Sequence, residues 1–175
     1  MKKINHFFFV ICLSALVLNA CRPDNNFSIG QPQNRLTQLA GTWKLQSVIQ
    51  TDLNAKSNNY MDAVRTDINV QQMNITNAAP FTDLKLTFAE DAANTPTTFS
   101  VDYGAAPKIF KSAGGVWKVD NLLAPGNIKF INGVDTVSLK LGNVNNLAAN
   151  MMTLQKIKYQ GIKPKIQYDY NFIKN

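Results

Sequence analysis

A thiol, a pair of adjacent carboxylates and a row of alternating aromatics are the groups in this 175-residue chain whose types and spacing could do chemistry. Cys21 ends the apolar stretch LVLNAC, where its sulfur could serve as a bridge, a nucleophile or a covalent handle. The only histidine, His6, and the only other cysteine, Cys12, lie upstream of it. Without that upstream segment the chain has no imidazole and a single thiol. Ser/His/Asp and Cys/His nucleophilic centres need such groups, and zinc and copper sites are normally built from them. No catalytic residue, metal or cofactor is therefore expected, and no internal disulfide. Glu90 and Asp91 sit side by side in AEDAAN, but neighbours on an extended chain point to opposite faces, so they read as a solvated turn. Nothing in the sequence selects a glycosidase dyad of Glu90 with Asp102. Asp52-Leu53-Asn54 opens like a calcium loop, yet Lys56 follows at the next ligand position and no glycine marks the sharp turn. Gly114-Gly115 enters a strand and forms no phosphate-binding motif. Tyr168, Tyr170 and Phe172 alternate and so share one strand face, which is expected to be an interior one.

The segment that removes the histidine has a recognisable layout. Lys2 and Lys3 precede an apolar run from Phe7 to Leu18, and the small residue Ala20 precedes Cys21. Such a run is too short for a membrane span, which needs about 20 residues, but it suits a secretory signal peptide over residues 1–20. A small residue directly before Cys resembles the lipobox of bacterial lipoproteins, with Asn19 an unusual choice inside it. The resemblance implies that Cys21 becomes the acylated N-terminus, anchored in the membrane of the cell envelope by several lipid chains. One chain alone binds only marginally. Residues 21–35, with Pro23, Pro32 and several asparagines, read as a tether.

Residues 36–175 read as a single domain whose dominant period is two. A short helical turn around Leu36, Leu39 and Ala40 stops at Gly41. Trp43, Leu45, Ser47 and Ile49 are then expected on one face, as are Leu84, Leu86 and Phe88, and Phe99, Val101 and Tyr103. VWKV, NIKFI, TVSLKL, MTLQKIKY and IQYDYNF continue the pattern. Asn132-Gly133 predicts a tight hairpin with both central residues at positive φ, and Pro125-Gly126 another turn. Residues 141–150 read as a longer surface loop, and Met61, Val64 and Ile68 hint at a helix within 58–70. About eight strands joined by short turns predict an all-β, antiparallel up-and-down barrel, since closure removes exposed sheet edges. Charge is uneven: residues 21–103 carry 6 basic and 8 acidic groups, residues 104–175 carry 10 and 3. Because Lys118, Lys129, Lys140, Lys156 and Lys158 alternate with apolar residues, all five are expected on the outer wall. No nucleic-acid partner is expected.

LAGTWKL, residues 39–45, resembles the entry to the first strand of lipocalins, where a helical turn leads into Gly-x-Trp and the Trp closes one barrel end. With the lipobox and tether, the chain resembles lipocalin-like lipoproteins of Bacteroidetes, many of unknown function. The resemblance implies a noncatalytic, outer-membrane-anchored domain that binds a small apolar or amphipathic ligand, or else a glycan as an accessory subunit of a surface nutrient-uptake complex. Trp43, Phe88, Phe99, Trp117, Phe130, Tyr168 and Tyr170 are the candidate ligand contacts. An eight-stranded barrel is just wide enough to be filled by side chains or to hold one small ligand.

Overall fold

A computed structural model describes residues 35–54 and 71–175. The helix suggested within 58–70 and the features before residue 35 lie outside the described residues. Helix α1 (Leu36–Leu39) leads into strand β1 (Gly41–Asp52), followed by a short β2 (Gln72–Asn74) and two 3-10 turns. Strands β3 (Lys85–Glu90), β4 (Pro96–Asp102), β5 (Gly114–Val119), β6 (Asn127–Asn132), β7 (Asp135–Leu141), β8 (Met151–Gln160) and β9 (Lys163–Lys174) complete the domain. From β3 to β9 each strand pairs antiparallel with the next in sequence, and β1 pairs with both β3 and β9. The result is the expected closed, eight-stranded, up-and-down barrel of lipocalin-like form. β2 adds to the outer half of the β1 edge, opposite Ile49 to Thr51, where β3 no longer reaches.

The alternation of each strand fills the interior. Leu84, Leu86 and Phe88 face inward beside Phe99 and Val101, then Trp117, Ile128, Phe130, Leu139 and Leu141. Strand β1 departs from simple alternation. A bulge at Gln46 shifts its register on β9 between Leu45 and Ser47. The extra residue reverses the phase. Val48, paired with Tyr170, and Gln50, paired with Tyr168, therefore take the inward positions expected for Ser47 and Ile49.

Turns follow the glycines with two refinements. At β6–β7 the paired ends are Asn132 and Asp135, so the central residues are Gly133 and Val134, with positive φ at Gly133 alone. The β8–β9 hairpin repeats this with Gly161 and Ile162. A glycine at the first central position is the requirement of a type II′ turn. Residues 141–150 are not a plain surface loop. Val144–Ala149 forms a 3-10 helix capped by the Asn143 side chain, and Leu147 is buried.

Gly115 is the one strand glycine that packing demands. Its φ is +154°, and a Cβ there would run into the Ile131 carbonyl oxygen and approach the Phe99 ring. Backbone cannot yield as a side chain can, so Gly115→Ala is expected to destabilise the barrel by about 3 kcal/mol, the upper range for an overpacked core. Chemical denaturation would measure it; a loss below about 0.5 kcal/mol would show that β5 and β6 are not so closely paired.

Candidate ligand site at the barrel mouth

The two barrel ends differ. At one, α1 lies against Trp43, which is fully buried, and packs on the 3-10 turn that carries Leu147. The indole Nε1 donates to the Leu39 carbonyl at 2.7 Å. Lys174, on the inward face of β9, sets its Nζ 5.3 Å from the centroid of the Trp43 ring and donates to the Gln38 carbonyl at 2.9 Å. The Gly-x-Trp motif thus seals this end.

Above Trp43 the middle of the barrel is solid. Phe88 packs on Trp117 at 4.7 Å between ring centroids, and Phe130 meets Phe99 and Phe110 at 5.0 Å each. Trp117 Nε1 donates to the Ala89 carbonyl at 2.8 Å. Where residues 110–112 meet the β6–β7 turn, the recess beside Phe99 and Phe130 is about 10 Å³ and has room for a water molecule at most. Of the seven aromatic residues expected as ligand contacts, Trp43, Phe88, Phe99, Trp117 and Phe130 therefore belong to the packed core and do not line an open cavity.

The opposite end is half covered. The loop between β4 and β5, residues 103–113, turns inward and drives Ala106 and Phe110 into the core. Tyr103 Oη donates to the Phe110 carbonyl at 3.2 Å, and Asn132 Nδ2 donates to Ser112 Oγ and the Gly114 carbonyl. These bonds hold the loop as a plug over the β5–β7 side. On the other side a cavity of about 320 Å³ remains. Its floor and walls are Val48 and Gln50 from β1, Lys156 and Lys158 from β8, and Tyr168 and Tyr170 from β9. Ile75 and Phe81 from the segment after β1 and Lys108 and Ile109 from the plug complete it. The volume falls at the lower edge of small-molecule sites, roughly 300–1,000 Å³.

Two residues of this cavity overturn the expected outward placement of the lysines. Lys156 pairs with Tyr168 and Lys158 with Ile166, so both share the inward face of Leu154 and Tyr170, whereas Ile157 and Tyr159 face outward. Strands β8 and β9 are 10 and 12 residues long and rise past the packed layer into the mouth, where the inward face meets water. Lys118, Lys129 and Lys140 are exposed on the outer wall, as expected. Lys156 Nζ donates to the Ile109 carbonyl at 3.1 Å, tying β8 to the plug. Lys158 Nζ lies 5.3 Å from the Tyr168 ring centroid, and the Tyr168 and Tyr170 rings stack at 6.2 Å.

Burial, then the neighbouring Tyr168, pushes the Tyr170 phenol up to about 12. A phenol whose folded pKa lies above its unfolded value near ~10 favours folding below that pH and loses the benefit as pH rises through the folded value. The melting temperature should therefore fall between pH 10 and about 12, and Tyr170→Phe should flatten that fall. Identical slopes for the two proteins, followed by circular dichroism, would place the phenol in water.

The acidic candidates do not converge. Asp91 accepts the amides of Ala93 and Thr95 at 2.9 and 2.8 Å, bonds that hold its carboxyl below the usual range and close a turn. Glu90 is raised by burial, against the opposing Lys174 charge, and its Oε1 is buried without a hydrogen-bond partner among the described residues. Among the described residues no group of three or more His, Cys, Asp or Glu could hold a metal.

A closed antiparallel barrel sealed at one end, with a cavity between its longest strands at the other, is a lipocalin-like fold. The chain belongs to the family described as a domain of unknown function (DUF5004), whose model matches residues 19–173. A search of curated proteins finds no match.

Proposed function

We propose that this is a noncatalytic binding lipoprotein of the bacterial outer envelope, of the kind found in Bacteroidetes. Cys21 carries the lipid, residues 21–35 form the tether, and the barrel holds a small amphipathic molecule in its mouth. The observation that carries this reading is the 320 Å³ cavity, which combines apolar Val48, Ile75 and Phe81 with convergent polar groups. The LVLNAC stretch supports the anchor, and the family match includes Cys21 within its span. The alternative of a glycan-binding accessory subunit calls for an outward aromatic platform. Tyr168 and Tyr170 instead face into the barrel, where a ligand must enter to reach them.

Native mass spectrometry of the full-length protein extracted in detergent tests both parts. The expected spectrum shows a chain beginning at Cys21 with added acyl mass, accompanied by a small retained ligand. An unmodified, freely secreted chain would refute the lipoprotein assignment, and a protein that stays empty when offered amphiphiles would refute the binding one.

A further inference from the structure

The mouth is cationic, and the described residues that line it include no carboxylate. Lys156 and Lys158 stand two residues apart on one strand face, and Lys108 adds a third ammonium from the plug. An ammonium has three donors, and for Lys156 the Ile109 carbonyl takes one of them. Asp52 lies on the same inward face, across β9 from Lys158, but one of its carboxylate oxygens accepts the Asn54 amide at 2.8 Å. Partial burial and the nearby charges of Lys158 and Lys111 disfavour the Lys156 ammonium. Both penalties are relieved when an anion enters, because an opposite charge at close range stabilises the charged lysine. Beside these cations the apolar side chains of Val48, Ile75 and Phe81 offer a surface for hydrocarbon.

We infer that the mouth takes an anionic amphiphile, its carboxylate or phosphate headgroup held by Lys156 and Lys158 and its chain laid against Val48, Ile75 and Phe81. This inference rests on the reading of the mouth as a ligand site and specifies the ligand's charge. Free fatty acids and phosphate-bearing single-chain lipids both supply the required chemistry.

The test is calorimetric titration of the processed chain, residues 21–175 with Cys21→Ser in place of the lipid, with decanoate, decyl phosphate and 1-decanol. Both anions are expected to bind at least about tenfold more tightly than the alcohol, the size of one charge-assisted hydrogen bond. Whichever anion binds more tightly identifies the preferred headgroup. Lys156→Met with Lys158→Met should bring the anions down to the level of 1-decanol. Lys118→Met with Lys129→Met, a cross-strand pair on the outer wall, removes the same charge and should alter neither. If the inner pair fails to fold, Lys156→Gln and Lys158→Gln are titrated singly, with loss of anion affinity expected in each. Equal binding of alcohol and anions, or anion affinity that survives the inner substitutions, would overturn the headgroup assignment while the mouth remained a site. Failure of all three amphiphiles to bind would overturn the mouth as well.

Discussion

Trp43→Ala will lower the unfolding free energy by about 3–5 kcal/mol, the cost of emptying a large buried aromatic site. The indole is fully buried in the same core cluster as Leu36 and Leu39 of α1, Leu147 and Leu45 of β1. Little of that space can collapse, because β1 is pinned on both edges there, by Leu86 and Phe88 of β3 and by Phe172 and Lys174 of β9. The substitution also removes the donor to the Leu39 carbonyl and the ring beneath the Lys174 ammonium. Trp43→Phe should recover most of the packing and still leave the Leu39 carbonyl short of a partner, a remaining loss of about 1–3 kcal/mol. Urea denaturation of the two variants separates the packing from the hydrogen bond. A loss under about 1 kcal/mol for Trp43→Ala would mean that α1 does not seal the barrel.

Phe130→Ala will cost a similar amount, about 3–5 kcal/mol, but its effect will spread in a different direction. The ring lies among three others, edge-on to Phe99 at 87° and tilted against Phe88 and Phe110. Phe110 belongs to the plug, so an empty Phe130 site removes the floor on which residues 103–113 rest. Amides in the plug, such as that of Ala106, which donates to the Tyr103 carbonyl at 2.7 Å, should exchange faster in this variant. In Trp43→Ala they should keep their protection relative to the global unfolding limit. Hydrogen exchange therefore distinguishes the two substitutions even where their stabilities agree. Equal loss of plug protection in both would show that the two barrel ends are not independent layers.

The barrel was legible in the sequence because its main signal is local. LKLTF, with Leu84, Leu86 and Phe88 inward, needs no tertiary information to be read, and the Gly41-Thr42-Trp43 entry marks where the first strand begins. What the period could not reveal were the places where tertiary geometry changes its phase or its meaning. The bulge at Gln46 turns Val48 and Gln50 inward, and no residue type at that position announces it. The same limit hid Lys156 and Lys158. In QKIKYQ the apolar residues Ile157 and Tyr159 alternate with lysines, and a rule that sends apolar side chains inward assigns the faces the wrong way round. The clue was the partner strand: Tyr168 and Tyr170 are amphipathic, and an inward face that carries both phenols and ammoniums suits a wet mouth better than a dry core. The five core aromatics were expected as ligand contacts because residue type does not tell a filled layer from a hollow one. That distinction depends on Phe110, delivered from a loop by a turn that carries no periodic pattern.

The most direct measurement of the central claim, that the ligand sits in the mouth between β1, β8 and β9, is chemical-shift mapping of isotope-labelled residues 21–175. Decanoate and 1-decanol are added in turn, so that the site is located whichever headgroup is preferred. The largest shifts are expected at Val48, Gln50, Lys156, Tyr168 and Tyr170, with the Trp43 indole and α1 unmoved. Gln50→Trp, which fills the mouth from the β1 wall, should abolish those shifts. A response centred on the outer-wall hollow of Ser138, Lys140, Ile157 and Tyr159, or no saturable response to either compound, would contradict it.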